Sequence, residues 1–93
     1  MIVGILEVTL HINESHSLKD KRKVVLSLKD RIRHHFNVSL AETDGQNTWQ
    51  NCCLTIAMVA NQRVAVEREL HRILDLIESV PAIEMTEHWI DFC

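Results

Sequence analysis

Three features of the sequence predict an α+β sandwich of β-α-β-β-α-β order. The chain opens with alternation of period 2, two apolar stripes of period 3.6 follow far apart, and turn residues separate the remaining β-rich runs. The 46% hydrophobic content supports a packed core, and with two glycines, one proline and no low-complexity stretch the chain does not resemble a disordered one. Its 93 residues suit one domain, residues 1–93, and fall short of two independent cores.

In the first strand Leu6, Val8, Leu10 and Ile12 alternate with Glu7, Thr9 and His11, as expected when one face is buried. Ser17 then precedes an apolar-periodic run with Asp20 three positions on, which predicts an N-cap close to a capping box. At about 100° per residue, Leu18, Val25, Leu28, Ile32 and Phe36 fall within about 80° and form the core stripe of a first helix. Asn37 is expected to end it. Val38 and Leu40 alternate with Ser39 and Ala41 as a short second strand, and Thr43-Asp44-Gly45-Gln46-Asn47 carries an Asp-Gly hairpin signal.

A third strand is expected from about Trp49 to Ala60, with Cys52, Leu54, Ile56 and Met58 on one face. Asn61 is placed to cap a second helix, lined by Val66, Leu70, Ile73 and Ile77 and stopped by Pro81. The run from Ile83 to Phe92 reads as a fourth strand whose alternation does not say which face is buried. Two split βαβ units of this size close as a four-stranded antiparallel sheet with two helices on one face, the ferredoxin-like sandwich. One sheet face then stays open, carrying Glu7, Thr9, His11, Thr55 and Ala57.

Charge is unevenly spread along the chain. Residues 15–38 hold seven Lys and Arg against two Asp, a net of +5, and the remainder holds three against eleven, a net of -8. Arg22, Lys29 and Arg33 lie within about 40° on one flank of the first helix, with Lys19 beside them. Such a ridge can follow successive phosphates, giving salt-dependent binding with little sequence information. The bland reading is a solvated helix face whose stems cover apolar surface. Lys21 sits on the apolar stripe itself and is expected to snorkel to water, and Arg31 lies on the opposite flank.

Other chemistries find little support. His34 and His35 are adjacent and point apart on a helix; His11, His88 and Cys93 meet only if the outer strands present them together, and no metal-ligand spacing joins them, so no metal or cofactor is expected. Three cysteines, with Cys52 and Cys53 adjacent, make a poor disulfide framework, and strand geometry sends those two to opposite faces. A phosphate cradle after the first strand would need glycines and arginine where Asn13-Glu14-Ser15-His16 stand. Base stacking on the sheet would need aromatics there, and the chain has only Phe36, Trp49, Trp89 and Phe92. Trp49 is a strand-start residue, read as core before partner anchor. Neither a signal-peptide core nor a membrane-spanning stretch is present in the sequence, so a cytoplasmic protein is expected.

A wider pattern joins these segments. Ser17-Leu18-Lys19-Asp20-Lys21-Arg22, Ser27-Leu28-Lys29-Asp30-Arg31-Ile32-Arg33, Phe36-Asn37-Val38-Ser39, Ala41-Glu42 and Trp49-Gln50 together resemble the YlxP-like family of small bacterial proteins of unknown function. The resemblance runs from Met1-Ile2-Val3-Gly4 into the second helix and fades in the last strand; His34-His35 and Cys52-Cys53 depart from it. It implies a ferredoxin-like fold and a bacterial cytosolic protein. Such relatives are often encoded beside translation initiation and ribosome-maturation factors and have been treated as ribosome-associated. It carries no catalytic residues; the motif positions that could matter are Lys19, Lys21, Arg22, Lys29, Arg31, Arg33, Glu42, Gln46, Trp49 and Gln50.

The expected function is a non-enzymatic accessory domain that meets ribosomal RNA or a ribosomal subunit, with Lys19, Arg22, Lys29 and Arg33 on phosphates. The alternative is a homodimeric interaction module. It would use the open sheet face, where Ile5, Ala57 and Val59 lie, or an edge strand. No membrane and no small-molecule substrate are implied.

Overall fold

Strand β1 (Ile2–Ile12) runs between two antiparallel neighbours: β3 (Asn51–Ala60), in register from Ile2↔Ala60 to His11↔Asn51, and β4 (Ile83–Phe92), from Gly4↔Phe92 to Ile12↔Ile83. A short β2 (Ser39–Asp44) pairs antiparallel outside β3, so the sheet order is β2-β3-β1-β4. Helices α1 (Leu18–His35) and α2 (Arg63–Glu78) complete the β-α-β-β-α-β order. This computed structural model describes residues 1–13, 16–44, 48 and 50–93; Gly45, Gln46 and Asn47 of the hairpin signal, Trp49, and Glu14 and Ser15 of the first loop lie outside them.

The alternation of β1 divides the molecule into layers. Leu6, Val8, Leu10 and Ile12 are buried in one cluster with Leu54 and Ile56 of β3, Val25, Leu28 and Ile32 of α1, and Val66, Leu70, Ile73 and Ile77 of α2. Both helices therefore cover the same sheet face. Glu7, Thr9, His11, Thr55 and Ala57 take the other face, as the alternation predicts. Cys52 is buried under the helices while Cys53 faces outward.

The helix starts differ in chemistry. Ser17 Oγ accepts from the Asp20 amide at 3.1 Å, the expected cap. The reciprocal bond goes elsewhere: Asp20 accepts from the His16 amide at 3.3 Å. Gln62, one residue after the expected Asn61, is the N-cap of α2, and it makes no side-chain cap bond.

The undecided face of β4 has a simple cause. The register shifts between Thr9↔Glu87 and Leu10↔Met85, leaving Thr86 as an extra residue whose hydroxyl donates to Thr9 O at 3.2 Å. The bulge reverses the phase of the strand. Before it Ile83 and Met85 face the helices; after it Ile90 and Phe92 do, and Trp89, opposite Glu7, faces out. Arg63 lies over the Phe92 ring with 4.2 Å to the centroid.

Gly4 marks the tightest approach of helix to sheet. A methyl there would run into Val66 Cγ1 and lie 3.1 Å from Leu70 Cδ1, both on buried residues of α2. Gly4→Ala should therefore destabilise the fold by about 1–3 kcal/mol, the cost of overpacking a filled core. Urea titration of Gly4→Ala, Val66→Ala and the double variant checks this, with the double variant losing clearly less than the two single losses combined.

Candidate nucleic-acid interface

The basic helix is held by its apolar stripe: Val25, Leu28 and Ile32 are buried, and Phe36 at its C-cap is half-buried against the core. That anchoring fixes where the cations point. Lys19, Arg22 and Arg33 are exposed and Lys29 is half-buried, so all four ridge residues present charge to water on the flank toward β2. One of them has a second task. Arg33 donates from Nη2 to Leu40 O at 3.0 Å, tying the last turn of α1 to a backbone carbonyl of the edge strand β2. On the opposite flank, Lys23 and Arg31 border a shallow groove of about 280 Å³ over Val24, Leu28, Val80 and Ala82. His34 and His35 are both exposed in the last turn, their rings edge to face with centroids 5.1 Å apart.

Lys21 corrects the sequence reading. It does not snorkel: its side chain is only 2% exposed, and Nζ lies 3.1 Å from Glu42 Oε2. Position 21 lies on the apolar stripe of α1, and Glu42 pairs with Leu54 on the covered face of β2, so the two charges meet between helix and sheet. The pair joins the first turns of α1 to the short edge strand. Cys52 lies in the same pocket of charge. Burial, then the neighbouring Glu42 carboxylate, push its thiol up to about 12 from an ordinary 9.0, against the opposing pull of Lys21. It is therefore a neutral, unreactive group at physiological pH.

Cys53, on the open face, also titrates above its ordinary value. Burial is the largest cause and Glu7 adds to it, while a hydrogen bond from Thr43 lowers it. Its Sγ donates to Glu7 Oε1 at 3.7 Å, and Thr43 bonds both Cys53 Sγ at 3.7 Å and Thr55 Oγ1 at 2.8 Å. Both cysteines thus have local partners that suppress the thiolate. His11, His88 and Cys93 do not converge. His11 lies against Asn51 on the open face, His88 pairs with Val8 on the outer strand and borders the hollow beside Trp89, and Cys93 bonds Val3 at the far end of β1.

Sequence reasoning missed two things. The Lys21–Glu42 pair left one trace, a lone lysine inside an apolar stripe with an acidic residue in the next strand. The second is how completely positive charge sorts by layer: all ten Lys and Arg lie in α1 and α2, and the four strands carry none.

Comparison with known proteins adds the family. Residues 3–90 match the family model described as "Protein of unknown function (DUF503)". The chain is 41% identical over 85 residues, 91% of its length and 92% of the relative's, to "Uncharacterized protein YlxP" of Bacillus subtilis (strain 168). Among solved structures it resembles the de novo designed protein Foldit4, with a TM-score of 0.58 and 14% identity over 100% of this chain and 97% of that one. It also resembles a dimeric ferredoxin-like protein from an uncultured marine organism, with a TM-score of 0.52 and 7% identity over 100% and 94%. At those identities the two structures speak for the ferredoxin-like fold alone.

Two outcomes test the buried charges. Lys21→Met should cost about 3–4 kcal/mol, the lower part of the range for breaking a buried pair because Glu42 partly reaches water. Lys21→Met with Glu42→Leu should recover most of that loss in denaturant titrations. The raised Cys52 thiol keeps its proton in the folded state after the unfolded chain loses its own, so it stabilises fully below pH 9.0, and that contribution falls away toward pH 12. Urea midpoints between those limits should fall less steeply for Cys52→Ala than for the natural chain.

Proposed function

The chain belongs to the DUF503 family of proteins of unknown function, and from its charged surface we propose that it is a non-enzymatic accessory domain whose first helix binds RNA. The partner is ribosomal RNA or a ribosomal subunit in the cytoplasm. One observation carries the reading: Lys19, Arg22 and Lys29 follow one flank of a helix whose neighbouring apolar stripe is locked into the core. A rigid row of cations keeps its spacing, so it matches a phosphate backbone without paying to order loops. Arg33, exposed at the end of the same row, also holds the end of α1 against β2. The outward carboxylates of the sheet repel a polyanion and turn the helix layer toward it. The suppressed thiols of Cys52 and Cys53 support a binding role over nucleophilic chemistry.

A second copy of the chain is the alternative partner. Its specific support is the outer edge of β4, ten residues long with no strand beyond it in the sheet, whereas the β2 edge is short and has its Leu40 carbonyl occupied by Arg33. Pairing of two β4 edges would survive nuclease treatment, and RNA binding would not.

Co-sedimentation with purified bacterial ribosomal subunits tests the first reading. Binding should be present at low salt and fall steeply as salt rises. Changing Lys19, Arg22 and Lys29 together to Gln should flatten the log-log salt dependence by about 2–3, one phosphate contact for each lost cation. A natural chain that stays in the supernatant at low salt, or a triple variant with an unchanged slope, defeats the proposal.

A further inference from the structure

The open face of the sheet has a composition suited to a second, different partner. It exposes Trp89 and Val59, 57% and 61% accessible, beside the apolar Val3, Ile5 and Ala57. A lone exposed apolar residue needs no explanation, but a tryptophan standing on a flat unpartnered sheet is the kind of anchor that carries binding energy. The charges of the same face select the occupant. Glu7, Asp44, Glu84, Glu87 and Asp91 all face outward and are exposed, and the basic groups beside them among the described residues are the imidazoles of His11 and His88.

Trp89 stands directly opposite Glu7 across the β1–β4 ladder, and Glu87 opposite Thr9. Together with His88, these four residues line one shallow concavity of about 310 Å³. A second hollow, of about 350 Å³, continues from Glu7 and Thr9 toward Asp44 and Asn51. An indole face flanked by carboxylates matches a guanidinium, which stacks on the ring while its N–H fork meets the oxygens. Two such faces stacked together would set five carboxylates against five, so a second copy fits this surface poorly. A polyanion fits it worse.

We propose that the open sheet face is a docking surface for an arginine-bearing segment of another protein, with Trp89 as the stacking platform and Glu7 and Glu87 as the carboxylates. The surface lies on the layer opposite the basic helix, so the domain holds two partners of opposite charge at once.

Titrating the full chain with acetylated tetra-arginine and tetra-lysine amides at low ionic strength, followed by amide and indole NMR, tests this. The expected result is shifts at the Trp89 indole and at Glu7, Thr9 and Glu87, with arginine bound at least about threefold tighter than lysine. Glu7→Gln with Glu87→Gln should weaken both peptides at least about threefold, and both residues are exposed, so folding is preserved. Trp89→Leu should erase the preference for arginine while leaving charge-driven binding. Several results would overturn the proposal. They are silence on this face at millimolar peptide, an affinity unchanged in the double variant, shifts of these same residues by an RNA oligonucleotide without peptide, or concentration-dependent shifts at Trp89 without peptide, which would make a second copy the occupant.

Discussion

Strand β1 is held on both sides by hydrogen-bonded ladders and on one face by both helices, so its alternation decides where every other element can lie. A slip of one residue would send Leu6, Val8, Leu10 and Ile12 into water and Glu7 and Thr9 beneath the helices. Gly4 adds a second restriction on the same strand, because α2 approaches it through Val66 more closely than a side chain would permit. Position and spacing of α2 are thus set from β1. The short β2, by contrast, touches only β3 within the sheet and needs other fastenings.

Those fastenings are electrostatic and come from the basic helix. Lys21 reaches Glu42 at 3.1 Å near one end of α1, and Arg33 reaches the Leu40 carbonyl at 3.0 Å near the other. Two of the seven cations that distinguish α1 therefore also grip the edge strand, Lys21 from a buried position and Arg33 from an exposed one. The exposed cations that remain owe their fixed geometry to that grip. Structure and surface charge are supplied by one element, and the residues that serve each purpose interleave along it: Lys19 and Arg22 face water on either side of buried Lys21.

Element order, core stripes and open face were all legible in the sequence because each rests on periodicity, which survives without knowledge of the partner. Leu6 to Ile12 and Leu18 to Phe36 announce their buried sides by spacing alone. What was hidden depends on pairing between distant segments. The face of β4 could not be read because Thr86 inserts a residue and reverses the phase midway, a matter settled by its register with Thr9 and Leu10. Arg33 was legible as a ridge residue because helical spacing places it with Arg22 and Lys29; its bond to the Leu40 carbonyl was not, because it depends on where β2 lies. Lys21 was legible as anomalous but not as paired.

The sorting of charge by layer makes net charge a poor guide to how the molecule behaves at an interface. With a formal charge of -3 and a sequence pI near 6.0, the chain would be treated at neutral pH as a weak anion. Its helix layer nevertheless carries every lysine and arginine, while its bare sheet carries carboxylates, so the folded domain is a permanent electric dipole. Such a particle should be retained by cation-exchange and anion-exchange resins alike, adsorbing through opposite faces and releasing at modest salt from each, and unfolding should abolish the first of these behaviours before the second.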